Sequence, residues 1–372
     1  MSRAVKTICL RRIRRYLWVC CVCLVLCHPA FGIDRDIGLD QLYHTAWGVK
    51  EGAPPGVRAF AQTSDGALWL GTENGLFRFD GVRFIRFYSS SGPALPSGSI
   101  TRLKADLDGT LWVGFALSGI SRIKDDVVVN YTEKDGVPSG LTRAIIRDGT
   151  GSLWIATTSG LARQEGSRWT LIGSEWNFPS TACQSAYVDR RGTLWVGTLN
   201  QLYSLDKGAH RFRLAADHFF NVSSLAESSD GILWMADIGR SVHPMPFPLR
   251  NGKSTAAEIQ VGSTNILFDH QGSLWIATAG DGLRRVADPD RLNGQKIKEH
   301  DAAAQIFTKT NGLSHDYVRR IFEDREGNIW VATDGGIDRF RQTPLVPIML
   351  PSGAFRDFLE ALQRLVEFEA KL

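Results

Sequence analysis

The sequence predicts an all-β fold, a seven-bladed β-propeller of four-stranded antiparallel blades followed by a short C-terminal helix. Three observations carry this expectation. Seven tryptophans, Trp69, Trp112, Trp154, Trp195, Trp234, Trp275 and Trp330, recur at spacings of 43, 42, 41, 39, 41 and 55 residues. Each sits in one local grammar, with Gly three positions before, an apolar residue one after, and Gly or Ala two after. Each unit also alternates apolar and polar residues at period two and is rich in Gly, which excludes a helical solenoid of similar repeat length.

Residues 1–32 come first in the chain and differ from the rest. They hold six basic residues and no acid, and five of the six cysteines (Cys9, Cys20, Cys21, Cys23, Cys27). Basic residues up to Arg15, the apolar run Leu17–Cys27, and Ala30 and Gly32 after it read as a secretory signal peptide. About 11 apolar residues are short of the roughly 20 that a membrane-spanning helix needs. An uncleaved N-terminal anchor is the alternative, and the only expected membrane contact. A lipoprotein signal is excluded because Leu26 precedes Cys27. The expected location is periplasmic or extracellular. Without this segment, the 43 basic and 39 acidic residues become 37 and 39, a net charge of −2. A near-neutral body does not suit nucleic-acid binding. Cys183 is the single cysteine of the body, so neither a disulfide framework nor a CxxC metal pair is available there. No metal and no cofactor is expected.

The propeller is expected over residues 33–342. In the first unit, Val57–Gln62 reads as the first strand, Ser64-Asp65-Gly66 as a tight turn, Leu68–Thr72 as the second strand, Gly75–Phe79 as the third and Val82–Phe87 as the fourth. The Trp side chains are expected to fill the space between blades. Burying about 200 Å² of each ring at about 25 cal/mol per Å² contributes about 5 kcal/mol as an upper bound. Small residues at +2 let neighbouring sheets approach closely. Residues 41–47 resemble a lone fourth strand and are expected to close blade seven, with Thr343–Leu350 as the alternative. Blade five is the most degenerate. The long interval before Trp330 places an insertion at Asp288–Ala304, whose polar residues read as an exposed loop. Residues 343–372 form a tail with helical spacing from about 354.

The run from Trp47 through Gly52-Ala-Pro to Ala67-Leu-Trp-Leu-Gly-Thr-Glu-Asn-Gly-Leu-Phe-Arg-Phe-Asp-Gly-Val-Arg-Phe resembles the two-component regulator propeller repeat, and Asp135-Gly-Val-Pro and Asn311-Gly-Leu-Ser match its loop signature. The resemblance covers about residues 40–342. It implies the periplasmic input region of a membrane sensor, a hybrid histidine kinase or a diguanylate cyclase. In that family about fourteen repeats precede an immunoglobulin-like domain, a membrane helix and an output domain. This chain has seven repeats and carries no phosphoacceptor-His helix, ATP-lid boxes or cyclase signature. A sensor propeller of a two-component signal transduction system, a histidine kinase fragment without its output domain, is therefore expected, with no catalytic residue. A membrane sensor protein or a second propeller is the partner that this resemblance implies.

The ligand is expected at the mouth of the central channel. Counting from each Trp, position −11 is polar in all seven units: Arg58, Thr101, Arg143, Gln184, Ser223, Thr264 and Arg319. Position −10 adds Arg102, Asn265 and Arg320. Position −9 is apolar throughout (Phe60, Leu103, Ile145, Ala186, Leu225, Ile266, Ile321) and is expected to face packed blades. Several guanidiniums at one mouth favour an anionic or hydroxyl-rich small molecule, a glycan among them, because the planar fork binds carboxylates and diols. Trp176, Phe178, Phe219, Phe220 and Tyr317 in the loops feeding that face offer aromatic surfaces for sugar rings or for packing. A lyase-like enzyme using His218 or His315, with His44 near the closing strand, is one alternative function. A protein-interaction scaffold is another. The Asp at −6 (Asp106, Asp148, Asp189, Asp269, Asp324) reads as a turn cap rather than a metal ligand, and Cys183 as a buried structural thiol.

Overall fold

The computed structural model describes residues 32–342, apart from 97, 239–240, 246–248, 251–252, 255–256, 293–294, 299–300 and 302, and apart from the side chains of 249, 250, 253 and 254. The chain divides into two units, Met1–Arg341 and Gln342–Leu372. The signal peptide expected before residue 32, the tail helix and the alternative closing strand Thr343–Leu350 lie outside the described residues.

The first unit is a seven-bladed propeller of antiparallel blades. Blade one is Val57–Gln62, Leu68–Thr72, Gly75–Phe79 and Phe84–Arg86, inner strand first. The inner strands of the later blades are Ile100–Ala105, Thr142–Arg147, Cys183–Val188, Val222–Glu227, Ser263–Phe268 and Val318–Glu323. Each inner strand touches the next, and the seventh returns to the first, so the ring is closed. The seventh blade takes its outer strand from Tyr43–Gly48, paired antiparallel with Gly336–Arg341 from Tyr43 opposite Arg341 to Gly48 opposite Gly336. Closing the ring with the N-terminal strand leaves no unpaired edge at Gly336–Arg341.

The recurrent residues have specific local reasons. All seven Gly at −3 have positive φ, from +76° at Gly327 to +88° at Gly151, as the tight turn demands. At +2, a Cβ on Gly114 would lie 2.5 Å from Thr142 Cγ2, and one on Gly197 2.6 Å from Val222 Cγ1. The next blade's inner strand therefore leaves no room for a side chain at these two glycines. The loop signature before the first strands is a single 3-10 turn, Glu133–Asp135 or Lys309–Asn311, ended by a left-handed Gly136 or Gly312. Asn177 takes the same conformation after Ser174–Trp176.

The polar residues of the insertion, Asp290, Arg291, Gln295, Lys296 and Lys298, are exposed as expected, but the segment is not simply a loop. Lys296–Ile297 pairs in parallel with Glu258–Ile259 and becomes the outermost strand of blade five, which has five strands. Leu292, Ile297 and Ala304 are buried in a cluster with Trp234 and Ile259. The degenerate fifth blade has only two residues in its fourth strand, and the insertion covers the apolar surface left bare. Gln305–Phe307 then completes blade six.

Candidate functional site

The site follows from one irregularity repeated seven times. In every blade the pairing of the inner strand shifts between positions −12 and −10, for example between Val57 and Ala59 and between Val318 and Arg320. Position −11 is thus the extra residue of a β-bulge, and a bulge re-aims its side chain. The result is a cavity of about 200 Å³ at one end of the channel, lined by all seven −11 residues: Arg58, Thr101, Arg143, Gln184, Ser223, Thr264 and Arg319. Arg102, Tyr317, Leu141, Asn221 and Ile238 complete its wall, which contains no carboxylate.

Beyond it lies a second cavity of about 490 Å³ that shares Arg102, Arg143 and Ser223 with the first. Asn265 and Arg320 line this inner chamber. So do all seven −9 residues, which corrects the expectation that they serve packing alone. Phe60, Ile145, Leu225, Ile266 and Ile321 are buried between blades and, because the inner strands converge on the axis, also wall the lumen.

The polar ring is not uniform. Thr101, Ser223 and Thr264 each donate through their hydroxyl to the −12 carbonyl of the following blade, at 2.9, 2.9 and 2.7 Å. A bulge leaves backbone groups outside the ladder, and these hydroxyls take up one such carbonyl per junction. Asn265 donates to Ser224 Oγ at 3.0 Å and accepts from the Ile321 N–H at 2.9 Å, which ties blades five, six and seven together. These four residues are latches between blades.

The arginines divide in the same way. Arg58 pairs with Glu73, and Arg319 with Asp334, acids that stand at +4 of the same blades. The Arg58 hydrogen bond and charge hold the Glu73 carboxyl below its usual range. Arg143 has no acid at +4, where Thr158 stands, and its buried Nε has no partner. Arg102 donates to the carbonyl oxygens of Arg143 and, at 2.7 Å, Thr101. Burial presses the guanidinium pKa down at Arg102, Arg143 and Arg320, to about 10 at Arg320, and at Arg102 the charges of Arg320 and Arg143 add to the effect.

Of the loop aromatics, Tyr317 stands at the mouth with the Arg319 guanidinium 5.0 Å from its ring centre. Phe220 is exposed. Trp176 and Phe178 pack instead between blades three and four with Trp154 and Phe212, and Phe219 packs beside His243. His218 is almost fully exposed beside Asp217, and His315 Nδ1 accepts the Tyr317 N–H at 2.9 Å. His44 Nε2 lies 2.8 Å from Asp338 Oδ1 and fastens the closing strand. No cluster of metal-ligating side chains occurs among the described residues. Leu141, Asn221 and Ile238 were missed from sequence. Ile238 stands at +4, as Glu73 and Asp334 do, so the repeat alignment contained its signal.

A profile of the two component regulator propeller matches residues 52–74 and 312–335. Both matches begin at a left-handed glycine, Gly52 or Gly312, and run through the first two strands of a blade. These are two-component regulator propeller repeats. Similar solved structures include two from B. thetaiotaomicron. One is described as the extracellular domain of the hybrid two component system BT3049 (21% identity, TM-score 0.65, 82% of this chain and 42% of that one). The other is that of BT4673 (23% identity, TM-score 0.63, 82% of this chain and 40% of that one). The chain thus spans about two fifths of the length of these relatives. Streptogramin B lyase shares the fold at 12% identity and a TM-score of 0.60, over 81% of this chain and 98% of that one. No curated protein matches by sequence. Among the described residues no helix is long and apolar enough to cross a membrane.

Proposed function

We propose that this chain is the extracytoplasmic ligand-binding propeller of a two-component sensor, and that it takes an anionic or hydroxyl-rich small molecule, such as an acidic oligosaccharide, at the mouth of its channel. One observation carries the reading. Each of the seven blades contributes its bulged residue to a single cavity whose wall holds four arginines and no carboxylate. The two-component regulator propeller repeats support the sensing role. Arg143, which has no acidic partner among the described residues, is the principal anion contact, and Tyr317 supplies a flat face beside it.

Isothermal titration with uronic-acid oligosaccharides and small dicarboxylates tests this. A charge-assisted hydrogen bond is worth about 1.5–3 kcal/mol, so Arg143→Ala should weaken binding roughly 10- to 100-fold. Tyr317→Ala should weaken oligosaccharides more than dicarboxylates. Failure of every compound, together with co-purification of a protein partner, would replace this reading with a scaffold. A turnover lost in His218→Ala or His315→Ala would replace it with an enzyme.

A further inference from the structure

The inner chamber holds charge that the fold does not neutralise. Arg102, Arg143 and Arg320 converge on the axis from blades two, three and seven. None of the three forms an ion pair with a carboxylate of the described residues, in contrast to Arg58 and Arg319 nearby. The chamber does contain an acid, Glu227, but it accepts the Arg190 N–H at 2.8 Å and is turned to that neighbour. Lys104, also in the wall, is matched by Asp106 at 3.1 Å. All three are partly buried, so water screens their mutual repulsion only in part. Arg102 is nevertheless held rigidly, since two backbone carbonyls fix its guanidinium from behind. A cluster so fixed and so unbalanced is preorganised for an anion.

We propose that Arg102, Arg143 and Arg320 form an anion site inside the channel, below the mouth and sharing Arg102 and Arg143 with it, that takes a compact tetrahedral oxyanion. The inference deepens the reading of the hub as an anion-binding centre. Three forks approaching from different blades suit a group with acceptor oxygens on all sides, as sulfate or phosphate has, better than a planar carboxylate, which one fork satisfies. The oxyanion is either a free ion or the sulfate or phosphate group of a sugar whose body rests in the mouth. The −9 ring lines the same chamber and, being apolar, supplies no acceptor that competes with the anion.

Thermal unfolding of the exported protein in sodium sulfate, sodium phosphate and sodium chloride at matched ionic strength is the test. Sulfate or phosphate at about 100 times its Kd should raise Tm by about 4 °C over chloride. Arg320→Met should behave in two opposite ways. In chloride it should melt about 2 °C higher than the natural chain, because one repelling charge is gone, and in sulfate it should lose the ion-dependent rise. Should Arg320→Met not fold, Arg320→Gln, which keeps a polar side chain without the charge, carries the same paired expectation. Glucose 6-sulfate distinguishes the sources. A rise larger than that from sulfate, and abolished by Tyr317→Ala, identifies a sugar-borne group, whereas a smaller rise identifies the free ion. Equal melting in sulfate, phosphate and chloride overturns the proposal, as does an Arg320→Met variant that keeps the full sulfate response. That result would leave the mouth reading standing, since Arg320 lines the chamber and not the mouth.

Discussion

In four blades an aspartate six residues before the tryptophan (Asp148, Asp189, Asp269, Asp324) does two jobs with its two oxygens. In blade three, Asp148 Oδ1 accepts the N–H groups of Thr150 and Ser152, at 2.8 and 3.1 Å, and so caps the turn, while Oδ2 accepts the Trp154 indole N–H at 2.8 Å. The same indole bond recurs at Trp112, Trp195, Trp275 and Trp330, and Thr63 replaces the Asp at Trp69. Turn and inter-blade ring are thereby fixed together. Asp148→Ala should cost about 1–3 kcal/mol by urea denaturation, because it leaves a buried indole N–H unpaired. Gly114→Val should cost at least as much, through overpacking against Thr142. Cys183 is fully buried and its thiol is pushed up to about 12 by burial. It should stay unreactive toward a thiol reagent in native buffer and react once in denaturant.

Among the elements, the closing strand is the one whose loss reaches furthest. Trp47 stacks on Trp330 with ring centres 5.6 Å apart, and the Arg339 guanidinium lies 5.3 and 5.4 Å from the two rings. Trp47→Ala removes this clasp and should lower stability by about 3–5 kcal/mol. The junction of blades two and three rests on charge instead. Asp106 binds Arg147 of the next blade at 2.5 and 3.0 Å and the Trp112 indole at 3.0 Å. Burial works to raise the Asp106 carboxyl, but the bonds from Arg147, Lys104 and Trp112 outweigh it and hold the group below 3.8. A carboxyl depressed on folding stabilises above its unfolded value, and this is lost as pH falls through the folded one. Tm should therefore drop below about pH 4. Asp106→Asn should melt lower at neutral pH but lose less on acidification, as scanning calorimetry would show.

At the scale of the whole molecule, ring closure converts seven marginal sheets into one body. Removing residues up to Gly48 would expose the full edge of Gly336–Arg341, and light scattering should then show association, because an unpaired edge recruits another strand. The ring also creates the hub. Each blade brings one inner strand to the axis, so a side chain that is ordinary in its own blade becomes one-seventh of a shared cavity. This explains how the same position serves as an inter-blade latch in blades two, five and six and as a charged contact in blades one, three and seven.

The period of the tryptophans, the positive φ of the glycines and the small residues at +2 were readable without coordinates. Each is forced by local geometry and therefore recurs in every unit. The −11 ring was readable for the same reason, although the bulge behind it was not. Residues as different as Arg, Gln and Ser occupy it, and a bulge imposes no residue type of its own. Other properties depended on distant segments meeting in space. The parallel pairing of Ile297 with Ile259 was decided by the bare flank of blade five. The charge balance at Arg58 and Arg319 was decided by acids across their turns, Glu73 and Asp334. The unbalanced charge of Arg102, Arg143 and Arg320 was decided by the closure of the ring, which brings onto one axis groups more than two hundred residues apart in the chain. Sequence periodicity determined the wheel, because repetition is a one-dimensional property. Only tertiary structure determined what its hub can hold, because electrostatic balance depends on distances in three dimensions.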